Sequence, residues 1–323
     1  MRFCVWLLFI ACSLLAKAQQ DSARLDFGDF GGIVYLDSLV VSASRTGFQV
    51  DDFIQMVRKD ESFFNAFHNL RGLSYQSTND FVFFNKKGKQ KAAYHSLIQQ
   101  RSDGDCRRMK VLEETHSGNF FKSKGRYRYY TAKMFDRIFL THGKICESQV
   151  VIPERPKGIQ KHVEELKKLI FQPGEPVDVP LISQKMVIFE ADMAKYYDFS
   201  ISRQLYQDQT DCYVFTAAVK PAFQQKKKGK TVIKLLQTFF HADNFQVVAR
   251  NYQLTYKSPL FDFDVHMQIE LERFGQYYIP TTIHYDGNWD IPAKKPEIAR
   301  FTLQFFSFDG KPMAVGTETT KQN

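Results

Sequence analysis

Catalytic signatures are missing from this chain. No G-x-S-x-G turn, H-E-x-x-H helix or phosphate-cradling glycine loop occurs in its 323 residues. The common ways of holding a nucleophile, a zinc ion or a nucleotide are therefore not written into it. Cysteine is scarce, 5 in all, with no C-x-x-C pair and no spacing that matches a metal-ligand set. That argues against thiol–disulfide exchange and structural zinc, and no cofactor is expected. Zinc-finger, RNA-binding aromatic and helix-turn-helix patterns are absent as well, so nucleic acid is not an expected partner. Past the N-terminus no segment approaches ~20 consecutive apolar residues, which leaves no transmembrane helix. There is no fixed-period repeat and no linker long enough to force two domains.

What is present begins with a secretory signal. Arg2 is a minimal basic region, Val5 to Leu15 an apolar core and Ala16-Lys17-Ala18 a small-x-small cleavage site. The mature chain is expected to start at Gln19, exported to the periplasm or envelope of a Gram-negative bacterium. Lipidation at Cys12 is the competing reading. Losing Arg2 and Lys17 lowers the formal charge from +9 to +7. The densest basic stretch is Lys226-Lys227-Lys228-Gly229-Lys230, a solvated turn or a contact for an anionic lipid or polymer. Cys106, Cys146 and Cys212 survive processing; an odd number leaves open one disulfide with a spare thiol, or three buried thiols.

Periodicity places one helix-rich stretch before a long run of strands. Val50, Phe53, Ile54 and Val57 repeat at helical spacing and are followed by Phe63, Phe64, Phe67 and Leu70, with a break near Asp60 and Ser62 as an N-cap. Strands are predicted at Leu73 to Phe84, Lys89 to Gln99, Cys106 to Glu114, Asn119 to Tyr130, Phe135 to Leu140 and Ile145 to Ile152. A helix is predicted at Ile159 to Ile170, while Ser183 to Lys195 fits either helix or strand. A meander then runs from Tyr197 to Phe308, with a bulge where the apolar parity shifts between Val247 and Val248. Its clearest piece is FDFDVHMQIELERFGQYYIPTTIHYDGNW, in which apolar and polar residues alternate at period two. The order gives an α+β, mainly antiparallel chain: a strongly curved, unclosed sheet, or half-barrel, with helices covering the concave face. Residues 1–18 form the signal and 19–49 a lead segment with one strand at Ile33 to Ser42. Residues 50–310 form a single curved-sheet domain with an insertion near 101–195, and 311–323 a polar tail.

The helix at Val50 to Leu70, the run DCYVFTAAVKP…KTVIKLLQTFFHADNFQVVARNYQLTY and the closing YYIPTTIHYDG strand resemble the periplasmic lipoprotein-carrier (LolA/LolB-like) superfamily. The resemblance implies a curved sheet plugged by helices and an interior that holds acyl chains. A ten-residue likeness of LDSLVVSASR to the segment before the plug of TonB-dependent receptors points only to bacterial lineage.

Three functional readings follow. In the first, the chain is a non-enzymatic binding or carrier protein for a lipid, acyl chain or other apolar ligand. Phe261, Phe263, Val265, Met267, Ile269, Leu271, Ile279 and Ile283 would then face that ligand. In the second it is an envelope structural or adaptor protein that pairs through an edge strand or apolar patch, and peripheral membrane association is compatible with both. In the third it is a metal-dependent enzyme. A turn centred on Gly275 would place His266 opposite His284 and Asp264 opposite Asp286, with β-carbons about 5 Å apart, a set able to ligate a transition metal. The plainer reading of those four residues is a solvated strand face.

Overall fold

The computed structural model describes residues 49–103, 105–146, 165, 173–179, 182–207, 209–224, 229–258, 262–290 and 295–310. The predicted signal, Cys12, the lead strand, Lys226 to Lys228, Phe261, the helix at Ile159 to Ile170 apart from Glu165, and the polar tail lie outside the described residues.

Two meanders build one antiparallel sheet. The first is β1 (Ser74–Phe84), β2 (Gln90–Ser102), β3 (Cys106–Gly118) and β4 (Lys144–Cys146). The second is β5 (Tyr197–Tyr206), β6 (Thr210–Val219), β7 (Ile233–His241), β8 (Val247–Lys257), β9 (Asp262–Phe274), β10 (Tyr277–Asp290) and β11 (Glu297–Asp309). They join where β1 pairs with β11, giving the order β4-β3-β2-β1-β11-β10-β9-β8-β7-β6-β5. The first and last strands do not pair, so the sheet is unclosed.

Alternation sorts the sheet into two faces. Ala217, Leu236, Tyr252, Met267, Tyr285, Phe301, Phe81 and Tyr94 are successive register neighbours from β6 to β2. One residue along, on the other face, the same strands align Thr216, Gln237, Asn251, Gln268, His284, Thr302, Asp80 and His95. The apolar face carries the helices α1 (Val50–Lys59), α2 (Ser62–Gly72) and α3 (Tyr130–Phe139). Curvature shows in a single contact. Tyr206 on β5 donates to Glu270 on β9 at 3.1 Å, four strands away. A flat sheet would hold those strands about 19 Å apart, so this corner coils strongly.

The bulge foreseen near Val247 is present. Phe239 faces Ala249 while Phe240 faces Val247, which leaves Val248 as the extra residue. Two predicted strands are corrected. Asn119 to Tyr130 is a single bridge, Phe121 to Tyr127, around a short turn, and Phe135 to Leu140 belongs to α3. Glu297 on β11 decides this: its carboxylate accepts from the backbone N–H of Tyr130 (2.7 Å) and Thr131 (2.9 Å) and from the Thr131 hydroxyl (2.8 Å). An N-cap supplied from the far end of the chain has no local sequence signal. Ser183 to Lys195 resolves into two short helical turns, Ser183–Met186 and Ala191–Ala194.

The cysteine alternatives resolve as well. Cys106 and Cys146 form a disulfide that staples the three-residue β4 to β3, and Cys212 is a buried free thiol. Burial pushes that thiol's pKa up to about 11, which makes it inert.

Candidate functional site

The polar side of the β9–β10 hairpin carries the predicted metal set in a different register. Gly275 and Gln276 form a two-residue turn between Phe274 and Tyr277, and a bulge at Thr281 adds one more residue to β10. His266 therefore faces Asp286, Asp264 faces Asn288, and His284 faces Gln268. Beyond the bulge this slip of two keeps each side chain on its face but changes its partner, whereas from Tyr277 to Pro280 the slip is one and the side chains change face.

Each of the four residues has its own neighbour. Asp264 accepts from the Thr255 hydroxyl at 2.7 Å and lies 3.5 Å from His266 Nε2. Asp286 pairs with Arg300 at 2.6 Å, and His284 Nδ1 lies 3.1 Å from the Thr302 hydroxyl. The hydrogen bond with Asp264 raises the His266 pKa and lowers that of Asp264, whereas burial lowers the His284 pKa. Among the described residues, three metal-type ligand atoms come within 4.8 Å of one another only at Asp105, Cys106 and Cys146. Both of those sulfurs are already committed to the disulfide.

Phe261 lies outside the described residues, and Ile279 is buried on the polar side opposite Glu272 rather than on the apolar face as expected. On the apolar face Phe263, Val265, Met267, Ile269, Leu271 and Ile283 are all buried. They form a floor on which the chain's own helices and aromatic side chains rest. Beneath α3, a void of about 10 Å³ lined by Asn79, Phe81, Ser96, Phe135 and Asp136 has room for roughly one water.

The larger opening lies beside α1. A groove of about 530 Å³ is lined by Gln55, Met56 and Lys59 of α1, by Asp60, Glu61 and Ser62 between the helices, by Asn65 of α2, and by Phe240, Phe245 and Gln246 of the β7–β8 hairpin. Aromatic packing shapes one wall. Phe53 meets Phe240 edge-on at 5.9 Å and Tyr213 at 5.8 Å, and Tyr213 stacks on Phe245 at 5.8 Å. Phe245 holds φ at 55°, a left-handed conformation unusual for an aromatic residue.

Behind the groove lies the most buried charge pair. Arg250 is 0% exposed; its Nη2 donates to Asp60 at 3.0 Å, its Nε to the Thr238 hydroxyl at 3.2 Å, and its guanidinium covers the Phe63 ring at 4.3 Å. Asp60 also accepts from the Ser62 N–H at 2.9 Å, so one carboxylate caps α2 and ties it to the sheet. At the other end of α2, Gln100 donates to the carbonyls of Leu70 (3.3 Å) and Leu73 (2.9 Å), and Asn69 donates to the Tyr278 carbonyl at 3.2 Å.

By contrast α1 buries Phe53 and Val57 fully, and its ion pair to the rest of the fold, Arg58–Glu190 at 3.2 Å, is exposed. Asp60 therefore sits as a fixed pivot at the end of a lightly held helix. Sequence patterning found α1, α2 and the break near Asp60 but took Ser62 as the N-cap, whereas Ser62 is the first residue of α2 and its N–H donates to the Asp60 carboxylate. Patterning missed the Asp60–Arg250 pair, because a buried arginine on an otherwise apolar strand face gives no periodic signal.

The helices rest on the apolar side of a curved, unclosed sheet, as the carrier resemblance implies. The fold is an unclosed, coiled antiparallel sheet with helices on its apolar side. No protein-family model matches the chain, and no curated protein matches it. Among solved structures it is similar to a LolA superfamily protein from Nitrosomonas europaea, at 11% identity over 81% of this chain and 94% of that one, with a TM-score of 0.24. A putative outer membrane lipoprotein-sorting protein domain from Vibrio parahaemolyticus is similar at 7% identity over 82% and 94%, with a TM-score of 0.25. Lipovitellin, in a structure titled for its lipid–protein interactions, is similar at 9% identity over 76% and 26%, with a TM-score of 0.28. Superpositions this loose carry no argument about ligand or activity, and the fold statement rests on the strand order itself.

Proposed function

We propose that this chain is an exported, non-enzymatic binding protein for an amphiphilic ligand, whose apolar part lies in the groove beside α1. The supporting observation is the contrast between helices: α2 is tied to the sheet by buried polar contacts at both ends, while α1, at the rim of a 530 Å³ opening, packs through apolar side chains (Phe53 and Val57 buried, Val50, Ile54 and Met56 half-buried) and an exposed ion pair. That volume falls in the usual range for small-molecule sites. Met56, Phe240 and Phe245 offer apolar contact, and Lys59, Glu61, Gln55 and Asn65 offer polar partners for a headgroup.

Energetics favour α1 as the moving part. Exposing Phe53, Val57 and the half-buried Ile54 and Met56 would cost roughly 5–9 kcal/mol, which apolar contact with the ligand must offset. Swinging α1 about Asp60 would extend the groove over the apolar floor. Displacing α2 would also strand the Arg250 charge in the core. The disulfide Cys106–Cys146 accords with an oxidising compartment.

A fluorescent fatty-acyl probe titrated onto the mature protein tests the reading. Met56→Trp, at a half-buried position on the groove wall, is expected to weaken binding at least tenfold while the protein stays folded with a melting temperature close to that of the unaltered chain. Equal affinity in the two proteins would refute the groove as the site.

One observation favours a second reading, as an envelope adaptor. Among the described residues no strand pairs with the outer side of β3 beyond Arg108, and Lys110 to Gly118 are exposed. That edge is available to a partner strand. A bulge at Leu112 and the charges of Lys110, Glu113 and Glu114 break its regularity, so it ranks second.

A further inference from the structure

Five lysines from separate stretches of sequence meet at the end of β7 remote from the groove. Lys185 donates to the Gly229 carbonyl at 2.7 Å and the Tyr256 hydroxyl at 2.9 Å. Lys234 donates to the Thr231 carbonyl at 3.0 Å and hydroxyl at 2.9 Å. Lys195 and Lys230 both lie over the Tyr196 ring, each ammonium 5.4 Å from its centre, and Lys220 donates to the Lys195 carbonyl at 3.2 Å.

Their partners are almost all neutral. Among the described residues, a carboxylate within 4.0 Å is found for Lys195 alone, where Asp192 lies at 3.9 Å with both groups exposed. Burial, and then the Lys185 charge, lowers the pKa of Lys234 against the opposing pull of Asp264. Among the described residues, five ammonium groups are thus gathered with only Asp192 and Asp264 as nearby anions. Lys226 to Lys228 fall between Lys220 and Lys230 in the sequence, outside the described residues.

The lysines surround an aromatic pair. Phe223, on the short helical turn Pro221–Gln224, meets Tyr196 edge-on at 5.0 Å, and both rings are partly exposed. We propose that this face, Lys185, Lys195, Lys220, Lys230 and Lys234 around Tyr196 and Phe223, docks the protein on an anionic lipid surface. Lysine stems cover apolar surface while their ammoniums meet phosphates, and aromatic rings settle at headgroup level. A soluble polyanion would use the charges but would have no use for Phe223. Lys234 and Phe240 stand six residues apart on β7, so the docking face and the groove are separated by roughly 20 Å, and neither proposal depends on the other.

Co-sedimentation of the mature chain with vesicles tests this docking. The expected result is binding to phosphatidylcholine vesicles containing about a third phosphatidylglycerol, weakening as salt rises, and little binding to phosphatidylcholine alone. Lys195→Gln with Lys230→Gln should lower the partition coefficient roughly 30-fold. Lys86→Gln with Lys87→Gln, in the exposed β1–β2 turn, removes the same charge elsewhere and should leave it nearly unchanged. Phe223→Ser should weaken vesicle binding but leave capture on a soluble polyanion such as heparin unaffected. Binding that ignores lipid charge, equal losses in the two lysine pairs, or a Phe223→Ser variant with full vesicle affinity would each overturn the proposal. The groove variant Met56→Trp should dock normally, so failure of docking and failure of ligand binding can be told apart.

Discussion

Arg250 and Asp60 show what a single buried charge pair does for this fold. Each is nearly sealed from water, and Asp60 also caps α2, so removing the carboxylate leaves a cation in the core without its counter-ion. Asp60→Ala is expected to lower stability by about 3–5 kcal/mol in denaturant titration, and adding Arg250→Met should recover most of that loss. An additive double variant would contradict the pairing. The two histidines of the β9–β10 hairpin should part in an NMR pH titration, His266 with its midpoint above the ordinary histidine value of 6.5 and His284 with its midpoint below it. The signs then differ. The His266 contribution to stability is fully present below 6.5 and fades as pH rises through its folded midpoint. The His284 contribution is present above 6.5 and fades as pH falls through its lowered midpoint. Overlapping titration curves would count against both assignments. Adding zinc should shift neither curve specifically, because among the described residues the Asp264–His266 pair has no third ligand atom within 4.8 Å.

At the scale of elements, the strands were legible and one helix was not. Alternation in β9 and β10 fixes which side chains share a face, and the shift at Val248 is visible as a parity change. Register was not legible, because the turn at Gly275 and Gln276 and the bulge at Thr281 each move the pairing by one residue, and neither leaves a mark in the hydrophobic pattern. Beyond the bulge the two displacements add, so faces survived while partners changed; between Tyr277 and Pro280 only the turn acts, and Ile279 moves to the side of Glu272. For α3, local wording rich in aromatic residues reads as strand, and the deciding cap comes from Glu297 on β11. Glu297→Gln should lower stability by about 1 kcal/mol, as the loss of an N-cap does, with helical circular dichroism largely kept. A change well below that would mean α3 is set by its own sequence. The groove was half legible: Met56 and Ser62 fall in the predicted helical stretch, but Phe240 and Phe245 reach it only through tertiary packing.

For the whole molecule, the question is why an apolar face this wide needs helices at all. A one-sided antiparallel sheet of eleven strands exposes more apolar area than a soluble chain tolerates, so something must cover it. α2 and α3 do so with polar ties to the sheet, whereas α1 covers its share with Phe53 and Val57 and leaves an opening at its side. That division of labour is what the proposed binding function rests on. The central claim is therefore tested by native mass spectrometry of the mature protein purified from its own envelope. The account predicts a co-purifying amphiphile of discrete mass, present in the wild-type chain and reduced in Met56→Trp. A chain that flies only at its bare mass, or that carries a metal ion in place of an organic ligand, would contradict it.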